Sequence, residues 1–136
     1  MIIVDTNILA YLYLPTDYSS ATESLLEKQP IWAAPPLWRS ELRNVLAFHI
    51  RQGLLTFDRA FGIQMEAEEL MADHHYEVNS YDVLKLSSTS GCSAYDCEFV
   101  SLPILQNTRL GTMGKKVLNA FPGVAMSLSD AVAHLP

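Results

Sequence analysis

Two rhythms of apolar residues run along the chain. Short apolar blocks of strand character fall at Ile2–Val4, Ile31–Ala34, Tyr76–Val78, Leu110–Thr112 and Val124–Met126. The first, with three β-branched residues in a row and no polar alternation, reads as a strand buried on both faces, as in the middle of a parallel sheet. Between the blocks, apolar positions recur at helical spacing. A helix is predicted from about Ile8 to Leu14, stopped by Pro15, and a second from about Ser19 to Lys28 with Leu25 and Leu26 inward. A third follows Pro35 and Pro36, from Leu37 to His49, and is closed by Gly53. Leu54–His75 reads as one long helix with its N-cap at Thr56 and a broken apolar face of Ala60, Phe61, Met65, Ala67, Leu70 and Met71. Ser80 is predicted to cap a helix that Gly91 ends, and another begins at Ser93. Strands alternating with helices mean a three-layer α/β/α sandwich around a central, mostly parallel, five-stranded sheet.

With 136 residues, 49% of them hydrophobic, and no linker-like or repeated stretch, the chain is expected to form a single domain over residues 1–136. No apolar run approaches the ~20 residues of a membrane span, and Met1 leads straight into the first strand, so a cytoplasmic protein without membrane association is expected. Cys92 and Cys97 are spaced for neither a zinc pair nor a redox pair and read as reduced packing residues. A formal charge of −6 argues against a broad nucleic-acid-coating surface. Any nucleic-acid substrate must be gripped locally.

Three acids stand out. Asp5 lies where the first strand stops, at the sheet edge where open α/β folds bind ligands. It could cap the following helix, but Thr6 and Asn7 lie closer to that start and can do so instead. On the Leu37–His49 helix, Glu41 falls at ~40° between Phe48 at ~20° and Val45 at ~80°, which puts a carboxylate inside an apolar stripe. A buried charge there needs a cation, a shared proton or a basic partner, unless the stem carries it to solvent. Arg39 and Arg43 occupy the opposite, polar face. Asp96 shares a face with Phe99 and Val100 while Glu98 points away, and Asp96 also suits the first-turn helix dipole. Asp58 reads as ordinary first-turn charge, and the adjacent His74 and His75 cannot both face one ligand from a regular element. Carboxylates collected without a Cys or His cluster favour a hard ion, Mg²⁺ or Mn²⁺, of the kind that polarises phosphates and activates water.

The blocks Ile3-Val4-Asp5-Thr6-Asn7-Ile8-Leu9, Ser40-Glu41-Leu42-Arg43-Asn44-Val45-Leu46 and Ser93-Ala94-Tyr95-Asp96-Cys97-Glu98-Phe99-Val100-Ser101-Leu102, in this order, resemble PIN-domain proteins and most closely the VapC-like toxins of type II toxin–antitoxin pairs. The resemblance covers nearly the whole chain. It implies a PIN fold and Mg²⁺- or Mn²⁺-dependent endoribonuclease activity, with Asp5, Glu41 and Asp96 as catalytic and metal-holding residues and Thr6, Asn7 and Thr112 as supporting residues around them. It also implies a homodimer, an RNA substrate, and neutralisation by a small antitoxin whose tail occupies the active-site groove. The family pattern closes with a strand, Thr-x-Asp and a helix. Here Leu110-Gly111-Thr112-Met113-Gly114-Lys115-Lys116 keeps the threonine but has Gly114 where the last acid is expected, so three carboxylates remain. Pro103 stands where alanine is usual and is expected to kink or shorten its helix.

Three functions fit these residues. One is an active ribonuclease with a weakened second metal position. Another is a catalytically impaired PIN domain that binds antitoxin or RNA, which Gly114 favours. The last is a metal-dependent phosphatase on another α/β fold, disfavoured because Asp5 is followed by Thr6-Asn7 rather than by the x-Asp of a nucleophile pair.

Overall fold

The computed structural model describes residues 1–136. In chain order the elements are β1 (Ile2–Val4), α1 (Thr6–Tyr13), α2 (Ser19–Lys28), β2 (Trp32–Ala33), α3 (Leu37–Arg51), α4 (Phe57–Leu70), α5 (Ser80–Ser90), α6 (Ala94–Gln106), β3 (Leu110–Gly111), α7 (Lys115–Ala120), β4 (Ala125–Met126) and α8 (Leu128–His134). The sheet is wholly parallel with order β2-β1-β3-β4. β1 is therefore internal, as its unbroken apolar run requires, and Ile2, Ile3 and Val4 are all buried. The chain leaves β1 toward β2 on one side and returns to β3 on the other. That reversal opens a crevice beyond the carboxyl ends of β1 and β3, the position where open α/β sheets bind ligands. Helix α6 packs on β1 and β3 under α5, while α1 contacts α2 and α3, and α4 covers α3.

The sheet has four strands rather than five. The Tyr76–Val78 block contributes only an isolated bridge between His75 and Ala34, with Tyr76 N–H donating to the Ala34 carbonyl. Asn79 ends the extension immediately by capping α5, its side chain accepting from Asp82 N–H, so the cap is one residue earlier than the expected Ser80. The long helix expected over Leu54–His75 is shorter for a related reason. Thr56 does cap α4, but after Leu70 the chain turns through Asp73 at φ 65° so that His74 and Tyr76 can bond to Ala34. Its inner face is Ala60, Ile63, Gln64, Ala67 and Met71, whereas Phe61 and Met65 are exposed. Gly91 ends α5 in the left-handed region at φ 75°, where a Cβ is penalised. Pro103 lies inside α6 without shortening it, since the helix continues to Gln106; the cost is one missing backbone donor in the last turns. Both cysteines are buried and unpaired, as expected.

His75 joins the edge of the sheet to α3. Its Nδ1 accepts from the Trp38 indole N–H at 2.7 Å, the rings stack at 5.6 Å, and Arg39 Nη2 lies 3.3 Å from Nε2. Arg39 is thus not free in solvent as its polar face suggested; its guanidinium also lies 4.0 Å from Glu68. Burial, reinforced by the Arg39 charge, lowers the His75 pKa below the ordinary 6.5. A lowered folded value means that the neutral ring contributes stability above the unfolded pKa, lost as pH falls through the folded one. The urea midpoint of the wild type should therefore drop from about pH 8 to about pH 5 by more than that of His75→Gln. Equal drops would show that this contact is silent.

Candidate active site

Asp5 follows β1 directly, and Thr112 follows β3. Because Val4 and Gly111 are register partners, these next residues stand side by side at the carboxyl edge. The Thr112 hydroxyl donates to Asp5 Oδ2, and Gly114 N–H donates to the same Thr112 oxygen at 3.1 Å. Asp5 Oδ1 accepts from Ile8 N–H at 3.1 Å, so Asp5, and neither Thr6 nor Asn7, is the N-cap of α1. The helix begins at Thr6 rather than Ile8, which leaves Asp5 at the capping position. Capping and a place in the crevice turn out to be compatible, because a carboxylate has two oxygens with two lone pairs each.

Glu41 comes from the first half of α3. Its Oε1 accepts from the Thr6 hydroxyl at 2.7 Å, a bond that ties α3 to the start of α1. The buried stripe of α3 is Trp38, Leu42 and Leu46, centred at ~140° on the wheel, so Glu41 lies at its border rather than inside it. Phe48, which the stripe was expected to include, is 50% exposed. Asp96 sits in the first turn of α6, where Ser93 caps by accepting from Asp96 N–H. Phe99 and Val100 are buried, whereas Asp96 is exposed on the rim. Glu98 is half-buried beside a different pocket, and burial, with the charge of Glu77, raises its pKa.

The three carboxylates line one cleft of about 210 Å³. Burial is the largest influence on Asp5 and raises its pKa, against the Thr112 bond. Glu41 is also raised, first by burial and then by the charges of Asp5 and Asp96, with the Thr6 bond opposing. Negative charge has thus been gathered at a cost. Thr6, Asn7 and Thr112 line the same cleft. Gly114 stands at the N-cap of α7 with φ −71° and offers no side-chain atom. Asn44 and the apolar wall of Val45, Phe99, Leu110 and Val117 were not picked out from the sequence. The signal for Asn44 was present, since it lies three residues after Glu41 and so on the same helix face. His74 and His75 lie in the Ala34 bridge region and do not join the cleft.

The donor set is oxygen-rich, with neither thiolate nor imidazole, which suits a hard cation. No three acidic, histidine or cysteine side chains form a ready-made cage. A hard cation in such a cleft would keep several of its own waters.

No family model matches the chain. In sequence it is 27% identical over 126 residues to Ribonuclease VapC3 from Pyrobaculum aerophilum, covering 90% of this chain and 96% of the relative. In fold it resembles PAE2754 from Pyrobaculum aerophilum, with TM-score 0.77 and 16% identity over 97% of this chain and 86% of that one. It also resembles FitAcB from Neisseria gonorrhoeae, with TM-score 0.71 and 15% identity over 95% and 99%. The fold is thus PIN-like, an α/β sandwich on a parallel sheet. The chain is thus similar in sequence to a ribonuclease of the VapC kind and in fold to these two solved structures.

Proposed function

We propose that the chain is a Mg²⁺- or Mn²⁺-dependent endoribonuclease, the toxin of a VapBC-like pair, acting in the cytoplasm as a homodimer and restrained by a small antitoxin. The observation that carries this reading is that Asp5 after β1, Glu41 in the first half of α3 and Asp96 in the first turn of α6 line one cleft at the switch point of the sheet. The sequence relative named a ribonuclease supports the reaction class. No helix is long and apolar enough to cross a membrane.

Asp5, Asp96 and Glu41 would hold the ion, directly or through waters it retains, and when bound it would supply Lewis-acid polarisation of the scissile phosphate and a lower pKa for the attacking water. The chain's own contribution is placement. Asp5 is fixed through both oxygens, to Ile8 N–H and to Thr112. Thr6 occupies Glu41 Oε1, while Oε2 makes no hydrogen bond and remains available to hold a water or its proton.

A second reading, a catalytically impaired module that binds antitoxin or RNA, is favoured by Gly114 alone, which leaves the family's last acidic position without a ligand. Cleavage of a generic single-stranded RNA in millimolar Mn²⁺, with chelator and Asp96→Asn as controls, separates the two. Metal-dependent cleavage lost in Asp96→Asn supports the nuclease. RNA binding without cleavage supports the module.

A further inference from the structure

The cleft poses a problem for an anionic substrate. Every charged residue that lines it is an acid, and no lysine or arginine does so, in a chain of formal charge −6. A bound cation offsets part of this charge at the scissile phosphate, but the rest of the sugar–phosphate backbone still needs donors. The side-chain donors in the cleft are two threonine hydroxyls and two asparagine amides. Thr6 and Thr112 spend their hydroxyl protons on Glu41 and Asp5. Asn7 and Asn44 are exposed, and neither side chain makes a hydrogen bond within the protein. Asn44 is mid-helix, where asparagine is a poorer helix former than alanine, and its side chain makes no hydrogen bond within the protein in return. An unpaired polar side chain at a cost to its own helix, beside the carboxylates, is placed for a ligand.

We infer that the Asn7 and Asn44 carboxamides grip the sugar–phosphate backbone of the substrate beside the carboxylates, replacing the basic residues that this cleft lacks. The inference rests on the nuclease reading and adds its substrate-binding groups. A carboxamide suits the place because its N–H groups serve phosphate oxygens while its neutrality leaves the electrostatics of the metal site unchanged. Its oxygen can accept from a ribose 2′-hydroxyl as well, a group that DNA does not offer.

The test compares wild type, Asn7→Ala, Asn44→Ala and Asn44→Asp. KM and kcat are measured on a fluorogenic single-stranded RNA at Mn²⁺ concentrations shown to saturate each variant. The Kd of the same RNA, end-labelled, is measured by anisotropy in Ca²⁺, and melting curves confirm folding. Loss of one neutral hydrogen bond predicts KM and Kd raised about threefold to tenfold in each alanine variant. Asn44→Asp, nearly isosteric but without N–H donors, should be weaker still than Asn44→Ala. If RNA is bound or cleaved by the wild type and the alanine variants match it, or if Asn44→Asp matches it, the inference is wrong while the nuclease reading stands. Wild type that neither binds nor cleaves RNA overturns both.

Discussion

Asp5→Asn is expected to remove metal-dependent RNA cleavage and metal-induced stabilisation together, while leaving the metal-free protein at least as stable as the wild type. The activity loss should exceed the 10–100-fold typical of groups that stand behind a metal's ligands, so about 10²-fold or more. Stability does not follow activity down, because one effect is neutral and a small loss is set against a larger gain. Asn caps as well as Asp, so the bond from Ile8 N–H survives. The amide replaces the oxygen that accepts from Thr112, which costs about 1 kcal/mol. Against this, a buried carboxylate crowded by Glu41 is gone. The pH dependence provides an internal check. A folded pKa raised above the ordinary 3.8 contributes stability that is fully present below that value and lost as pH rises through the folded one. Metal-free wild type should therefore gain stability on mild acidification, and Asp5→Asn should gain less. Melting curves with and without chelator, across that range, decide it. A large loss of metal-free stability in Asp5→Asn would mean that Asp5 serves the fold and not the ion.

The candidate site was legible in the sequence to the extent that it sits on strongly patterned elements. An unbroken apolar triplet followed by an acid marks the carboxyl end of an internal strand, so Asp5 could be placed without knowing the sheet order. Ser93 capping α6 fixed the phase of Asp96 in the same way. What pattern could not resolve was competition between roles. Asp5 both caps and faces the cleft, and the wheel of α3 put Glu41 inside a stripe because it counted Phe48 as inward when that ring is exposed. The fifth strand failed because three residues of suitable composition have only one ladder partner, Ala34, before Asn79 starts a helix. Asn44 escaped notice because an exposed polar residue gains meaning only from what lies across the cleft from it.

Gly114→Asp is expected to increase metal affinity and metal-dependent cleavage, each by about tenfold or more, because it returns a hard oxygen ligand to the cleft edge. The backbone accepts the change. Gly114 has φ −71° and ψ 111°, ordinary extended values, so no left-handed strain opposes a side chain. A Cβ there meets Thr112 Oγ1 at 3.5 Å and Val117 Cβ at 4.0 Å, ordinary contacts that need no movement. The position is the N-cap of α7, which has no side-chain cap, so an Asp should add a few tenths of a kcal/mol to the helix instead of costing stability. Capping need not compete with ligation, since Asp5 already caps α1 while lining the cleft. Thr112 joins the two positions, donating to Asp5 and accepting from Gly114 N–H, so a carboxylate at 114 would sit one hydrogen-bonded residue away from Asp5. Cleavage at fixed Mn²⁺ is compared among wild type, Gly114→Asp, and Gly114→Asp combined with Asp96→Asn. A gain that disappears in the double variant places position 114 and Asp96 in one site. Equal, robust cleavage by wild type and Gly114→Asp would show that three carboxylates suffice for this cleft, and no cleavage by either would favour the binding module over the nuclease.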